Sequence, residues 1–201
     1  MNVRSHMKIL YIAGPPGSGK STLDKNLRRE YGVIGSDDTW PVAEGVCFAG
    51  RCRPGTRYSG ADTVRGFADE LLRKIDDLTI SGKAETIIAE HYSTLPLRSL
   101  LRRGALDRHE IVILYNFRPL GRVLGQIEQR ENRPLEGQRR ERRIRNCETA
   151  SQDFERMRLE AKGYTNVTVE ELEGPTRVRY HHMLDILGRA PRYKNLRRRW
   201  A

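Results

Sequence analysis

Gly14-Pro15-Pro16-Gly17-Ser18-Gly19-Lys20-Ser21 fits G-x-x-x-x-G-K-[ST] at every fixed position, and Thr22 follows it. The apolar run Ile9-Leu10-Tyr11-Ile12-Ala13 precedes it, and a helical pattern from Lys20 to Glu30 follows. Glycines let successive backbone N–H groups curl around phosphate oxygens, and a helix N-terminus aims partial positive charge at the same anion. The pattern assigns Lys20 to the β- and γ-phosphates and the Ser21 hydroxyl to Mg²⁺, so the expected cofactors are ATP and Mg²⁺. A glycine-rich turn without a ligand would not need this strand–loop–helix setting.

Working outward, Val33-Ile34-Gly35 reads as a second short strand, closed by Ser36-Asp37-Asp38. Residues 39–61 are rich in Gly, Pro and Arg and read as a long loop or short-helix insert. Val64, Phe67, Ala68, Leu71, Leu72, Ile75 and Leu78 then recur at three and four, predicting a helix with Asp62 as N-cap and Gly82 as stop. Strands are expected at 86–89, 111–115 and 167–169, with a helix through Leu97, Leu100 and Leu101. Two further helices are expected over 120–161, broken near Arg133-Pro134, and a last one over 180–187. Strands alternating with helices predict an α/β fold: a mostly parallel five-stranded sheet, helices on both faces, and an arginine-rich helical lid over about 118–145.

Charge is segregated along the chain. The net charge is +11, yet the last thirteen residues carry six basic side chains and no acid, and Arg139–Arg145 holds five arginines and one glutamate. Outside those segments the chain is close to neutral, which points to a polyanion met at a defined surface. A solvated helix face and a basic tail would give the same count, so the DNA partner is an expectation that needs the site. No apolar run reaches the ~18 residues of a membrane span. Met1–His6 lacks the apolar stretch of a signal peptide; Ser5-His6-Met7 reads as a cloning junction, leaving 7–188 as the domain and 189–201 as a basic tail. Cys47, Cys52 and Cys147 form neither a disulfide ladder nor a zinc pattern and read as reduced thiols of a cytoplasmic protein.

Nucleotide binding alone does not separate kinase, GTPase and motor. A base-reading N-K-x-D segment is missing, and the remaining residues suit a hydroxyl kinase. Such an enzyme needs a carboxylate to accept the hydroxyl proton and orient the oxygen in line. Asp37, with Asp38 beside it, is expected at the carboxyl edge of the sheet, although an Asp-Asp pair also makes turns and caps. Glu90, ending its strand at the same edge, can hold Mg²⁺ through water or grip the acceptor. Arg130 and Arg133 on the lid can neutralise the transferring phosphoryl; a solvated helix arginine is the plainer alternative for either. In the insert, Arg53 and Arg57 can meet phosphates, and Trp40, Phe48 and Tyr58 can stack on a base or simply pack.

From Lys8 to about Leu187 these residues resemble the P-loop kinase superfamily, and within it the polynucleotide 5′-kinases. Gly14 to Thr22 matches their phosphate loop. The resemblance implies that Asp37 is the general base, that Glu90 is the acid ending the next strand, and that Arg130 or Arg133 is the lid arginine. Ser36 before the Asp-Asp pair and Thr39-Trp40 after it depart from the basic neighbours of an end-binding kinase. The insert, with its Gly55-Thr56-Arg57-Tyr58-Ser59-Gly60-Ala61-Asp62-Thr63 run, looks more like phage kinases that phosphorylate 5-hydroxymethyluracil within DNA. That likeness implies a base-borne primary alcohol as acceptor. A 5′ end, a small metabolite or nucleotide, and a nucleotide-dependent nucleic-acid-binding protein using only water remain as alternatives.

Overall fold

A computed structural model describes residues 6–52 and 60–190. Strand β1 (Lys8–Ala13) runs up the middle of the sheet and leads through the glycine-rich turn into α1 (Lys20–Glu30). It is flanked in parallel by β4 (Ala84–Glu90) and β5 (Glu110–Tyr115), with Ile9 opposite both Ile87 and Ile111. Strand β3 (Gly45–Phe48) adds in parallel to β4 and β6 (Val167–Glu171) to β5, while β2 (Val42–Ala43) pairs antiparallel on the outer edge of β3. The order is β2-β3-β4-β1-β5-β6, so the sheet has six strands and not the five expected.

Continuous apolar runs in β1, β4 and β5 follow from helices on both faces. Ile9, Tyr11, Ile87 and Ile113 face α2 (Phe67–Ser81), α3 (Leu95–Arg102) and α5 (Gly137–Ala161), where Leu71, Leu97 and Phe154 complete one core. Leu10, Ile12, Ile88 and Leu114 face α1 and α6 (Thr176–Ile186), packing on Leu23, Leu27 and Tyr180. Helix α4 (Leu120–Glu131) meets the first half of α5 in a small separate core of Val123, Leu124, Ile127, Leu135 and Cys147.

The second parallel strand is the main correction. It is not Val33-Ile34-Gly35 but Gly45–Phe48, inside the stretch read as an insert. Gly32 and Gly35 hold φ of +71° and +83°, which turns the chain where a ladder would have to run on. Gly45–Phe48 has the alternation a two-sided strand needs: Val46 and Phe48 enter the α1 core, Cys47 the opposite one. Asp62 also departs from expectation. It lies in a single 3₁₀ turn, Gly60–Thr63, and α2 begins after Gly66 instead. The stop at Gly82 holds, its N–H closing on the Leu78 carbonyl. The three cysteines are free and buried, and burial pushes the Cys47 thiol up to about 12. Among the described residues no helix is long and apolar enough to cross a membrane.

Candidate active site

The phosphate loop closes between β1 and α1 with Gly14, Gly17 and Gly19 at positive φ. A Cβ on Gly17 would come within 2.9 Å of Ile127 and 3.0 Å of the Val123 carbonyl, so the loop apex can touch α4 only because that residue is glycine. Asn116, at the end of β5, donates to the Ser18 carbonyl at 2.8 Å and accepts from Arg179, tying the loop to α6. That tether holds the loop's conformation before any ligand arrives, which reduces reorganisation on binding.

Behind the loop stands Glu90. Its Oε1 lies 3.5 Å from Lys20 Nζ and accepts from Ser21 Oγ at 3.3 Å. Burial pushes its pKa up to about 7; Lys20 opposes that shift, while Asp24 and Asp62 reinforce it. Its Oε2 is buried without a hydrogen-bond partner. An unpaired buried carboxylate oxygen beside a serine hydroxyl is a donor set for a hard cation, so these residues fit Mg²⁺. Among the described residues there is no cluster of three or more His, Cys, Asp or Glu that would make a closed metal cage. Magnesium needs none when waters and phosphate oxygens fill its shell.

The turn carrying Asp62 sits directly on Glu90. A Cβ on Gly60 would lie 2.6 Å from Glu90 Oε2, and one on Gly50 would collide with the Gly60 carbonyl at 1.7 Å. Two glycines therefore let the turn settle close enough for Asp62 to reach the same cavity as the phosphate loop. That cavity, about 460 Å³, is lined by Lys20, Ser21, Asp62, Tyr92, Arg130 and Arg143 among others. His91 Nε2 faces Asp62 Oδ1 at 3.5 Å, and its Nδ1 lies 2.9 Å from the Ser93 carbonyl oxygen and 3.1 Å from the Ser93 nitrogen. Burial lowers the His91 pKa, against the pull of Asp62.

The predicted residues divide clearly. Gly14 to Thr22, Lys20, Ser21 and Glu90 come together as expected. Asp37 and Asp38 are exposed on the connection into β2, and neither lines the cavity. Asp38 makes a turn, accepting from the Trp40 N–H at 3.0 Å. Their placement rested on a strand at 33–35 that does not form, and the acid that faces the phosphate loop is Asp62. Trp40 is 6% exposed and stacked on Phe67, so it packs the core, as does buried Phe48. Arg53, Arg57 and Tyr58 lie outside the described residues.

Arg130 reaches the cavity, whereas Arg133 lies past the end of α4 and does not. They do not share a helix face because α4 stops at Glu131. The second arginine at the cavity is Arg143 on α5, whose guanidinium donates to Glu131 at 2.9 Å. Arg139 pairs with the same carboxylate, so Glu131 gathers arginines from α5. Arg118 and Arg122 line a different cleft of about 570 Å³ with Phe117, Thr176 and Arg179, on the β5–β6 side of the loop.

Sequence reasoning missed Asp62, Tyr92, Asn116 and Arg143. Arg143 was hidden in a run of like residues. Asp62 was legible only to a reading that had already put the second strand at 45–48.

No family model and no curated protein matches the sequence. Solved structures do match in fold. A fungal RNA kinase superposes with a TM-score of 0.52 at 9% identity, covering 92% of this chain and 87% of its own. A sugar kinase from Janibacter sp. gives 0.45 at 14% identity, with 92% and 96% covered. A deoxyadenosine kinase from M. mycoides gives 0.44 at 14%, with 91% and 100% covered. The parallel order β3-β4-β1-β5-β6 and the glycine loop after the central strand accompany the likeness to the fungal RNA kinase: the chain shares the α/β fold of that kinase.

Proposed function

We propose that this protein is a kinase that moves the γ-phosphoryl group of ATP onto a hydroxyl carried by DNA. The observation that carries the reading is one cavity in which Lys20 and Ser21 face Asp62 beneath Arg130 and Arg143. The β- and γ-phosphates lie on the amides of Gly14–Ser21, with Lys20 on their oxygens. Magnesium, held by Ser21 with Glu90 behind it, supplies charge neutralisation on the phosphates. The acceptor oxygen attacks Pγ, the bond from Pγ to the β-bridging oxygen breaks, ADP leaves with the electron pair, and Asp62 takes the hydroxyl proton. Asp62 thus has the role that spacing assigned to Asp37. Arg130 and Arg143 close on the equatorial oxygens, where charge is spread in transfer. The cleft around Arg118 takes the nucleoside, a guanidinium plane being a good partner for a base.

DNA as the acceptor's carrier is supported by the segregated positive charge, much of it on the exposed face of α5 at Arg140, Arg142 and Arg145. The likeness of the 47–63 stretch to phage 5-hydroxymethyluracil DNA kinases favours the 5-hydroxymethyl group, ahead of a 5′ end.

Labelled γ-phosphate offered to hydroxymethyluracil DNA, 5′-hydroxyl DNA, 5′-hydroxyl RNA and free nucleotides tests this directly. Label on the first substrate is expected; label on free nucleotides alone would remove DNA from the account. Asp62→Asn should slow transfer by about 10²- to 10⁴-fold while ATP binding persists, and Asp37→Asn should not.

A further inference from the structure

Four rings form a column at the mouth of the site. Trp40 stacks on Phe67 with centroids 6.3 Å apart and planes 12° from parallel. Phe67 stacks on His91 at 5.6 Å and 18°, and His91 on Tyr92 at 4.6 Å and 23°. The first three are buried, at 6%, 6% and 8% exposure, whereas Tyr92 is 56% exposed. Tyr92 has its inner face covered by His91 and borders two spaces at once. One is the phosphate-loop cavity with Asp62; the other is a cleft of about 790 Å³ between α2 and α3.

That second cleft has an apolar floor, including Phe67, Ala68, Leu95 and Pro96, and a cationic end at Arg102 and Arg103. Asp69, Ser93 and Ser99 also line the cleft and can meet the polar edge of a ligand. A flat π-surface held by three buried rings suits a planar heterocycle, because the platform is already ordered and little entropy is lost on stacking. His91 touches both members that matter: its ring lies on Tyr92 and its Nε2 faces Asp62.

We infer that Tyr92 is the stacking platform for the nucleobase of the acceptor, with the acceptor's phosphates toward Arg102 and Arg103. This rests on the kinase reading and deepens it: the hydroxyl that reacts belongs to a base-bearing molecule. The base lies on the outer face of Tyr92, and its hydroxyl-bearing group turns toward Asp62. Tyr92 acts by positioning the acceptor; it takes no proton.

Stacking can be read without catalysis. A single-stranded deoxyoligonucleotide containing 2-aminopurine, and 2-aminopurine deoxyriboside monophosphate, are titrated into the wild-type chain with ADP and Mg²⁺ present. Fluorescence quenching on binding is expected, kept in Tyr92→Phe and lost in Tyr92→Ala, whose affinity falls about 5- to 150-fold. Tyr92 is mostly exposed, so the alanine variant should fold, and circular dichroism verifies this. Tighter binding of the oligonucleotide than of the monophosphate identifies a strand as the source of the base; equal binding identifies a free nucleotide. Absent quenching in the wild type, or unchanged binding in Tyr92→Ala, overturns the assignment. Phosphate transfer measured in parallel separates the two claims. Transfer to DNA that ignores Tyr92 sinks the platform alone, and quenching without transfer to any acceptor sinks the kinase reading alone.

Discussion

Glu90 illustrates how a single side chain carries information about what its site can hold. Its carboxyl is completely buried, one oxygen is spent on Lys20 and Ser21, and the other has no partner. Burial holds its pKa near 7, above the ordinary 4.5, so between those values the folded protein binds a proton that the unfolded chain releases. The sign follows from linkage: this contribution is fully present below pH about 4.5 and is lost as the pH rises through about 7. Ligand-free protein should therefore lose on the order of 3 kcal/mol over that window, through this group alone. Glu90→Gln should flatten the loss, measured as urea midpoints from pH 4.5 to 7.5; equal slopes for variant and wild type would contradict the assignment. Glu90 was legible as the acid ending a strand, since an apolar run closed by a carboxylate marks the sheet edge. Its burial under Gly60 was not, because nothing local announces that residue 60 returns to lie on residue 90.

At the scale of elements, α1 owes its position to a buried charge pair as much as to its apolar face. Arg28 donates from Nε to Asp24 at 2.8 Å and from Nη2 to the Ala49 carbonyl at 2.8 Å, with both side chains buried. The contact with Ala49 joins α1 to the top of β3, which leads toward the turn bearing Asp62. Removing one partner leaves a buried charge uncompensated, so Arg28→Leu should cost about 3–5 kcal/mol in urea unfolding. Arg28→Leu combined with Asp24→Leu should cost clearly less than the single change; the reverse order would show that the Ala49 contact, and not the pairing, dominates. Helix α5 is tied to α3 in a comparable way. Asp153 accepts from the Thr94 N–H at 2.6 Å and from Arg98 at 3.1 Å, while the same helix carries Arg143 into the cavity ten residues earlier. Helix periods were readable because α1, α2 and α5 bury regular stripes. The short β3 was not, since four residues among glycines and prolines carry too little periodicity to stand out.

For the whole molecule, charge decides what can approach. The exposed arginines of α5 carry the polyanion contact in the reading proposed above. Arg189 does not belong to a free tail: it packs over the Tyr31 ring at 4.0 Å and pairs with Glu44. A truncation that spares the fold must therefore begin after Ala190. Replacing Arg140, Arg142 and Arg145 with Gln should reduce the slope of log K against log salt for DNA binding by about 2 to 3, or roughly one per lost phosphate contact. Filter binding across a salt series reads this, and an unchanged slope would place the DNA backbone elsewhere on the surface.

The phosphate loop, the helices that flank it and the segregated charge were determined by local sequence alone, because each depends on neighbours a few residues apart. Which acid, which arginines and which exposed ring line the cavity at that loop were decided only by the tertiary fold. Asp62 lies 42 positions beyond Lys20 and Arg143 another 81 beyond that. Sheet order and two permissive glycines bring them into one cavity, and no spacing rule written along the chain encodes that convergence.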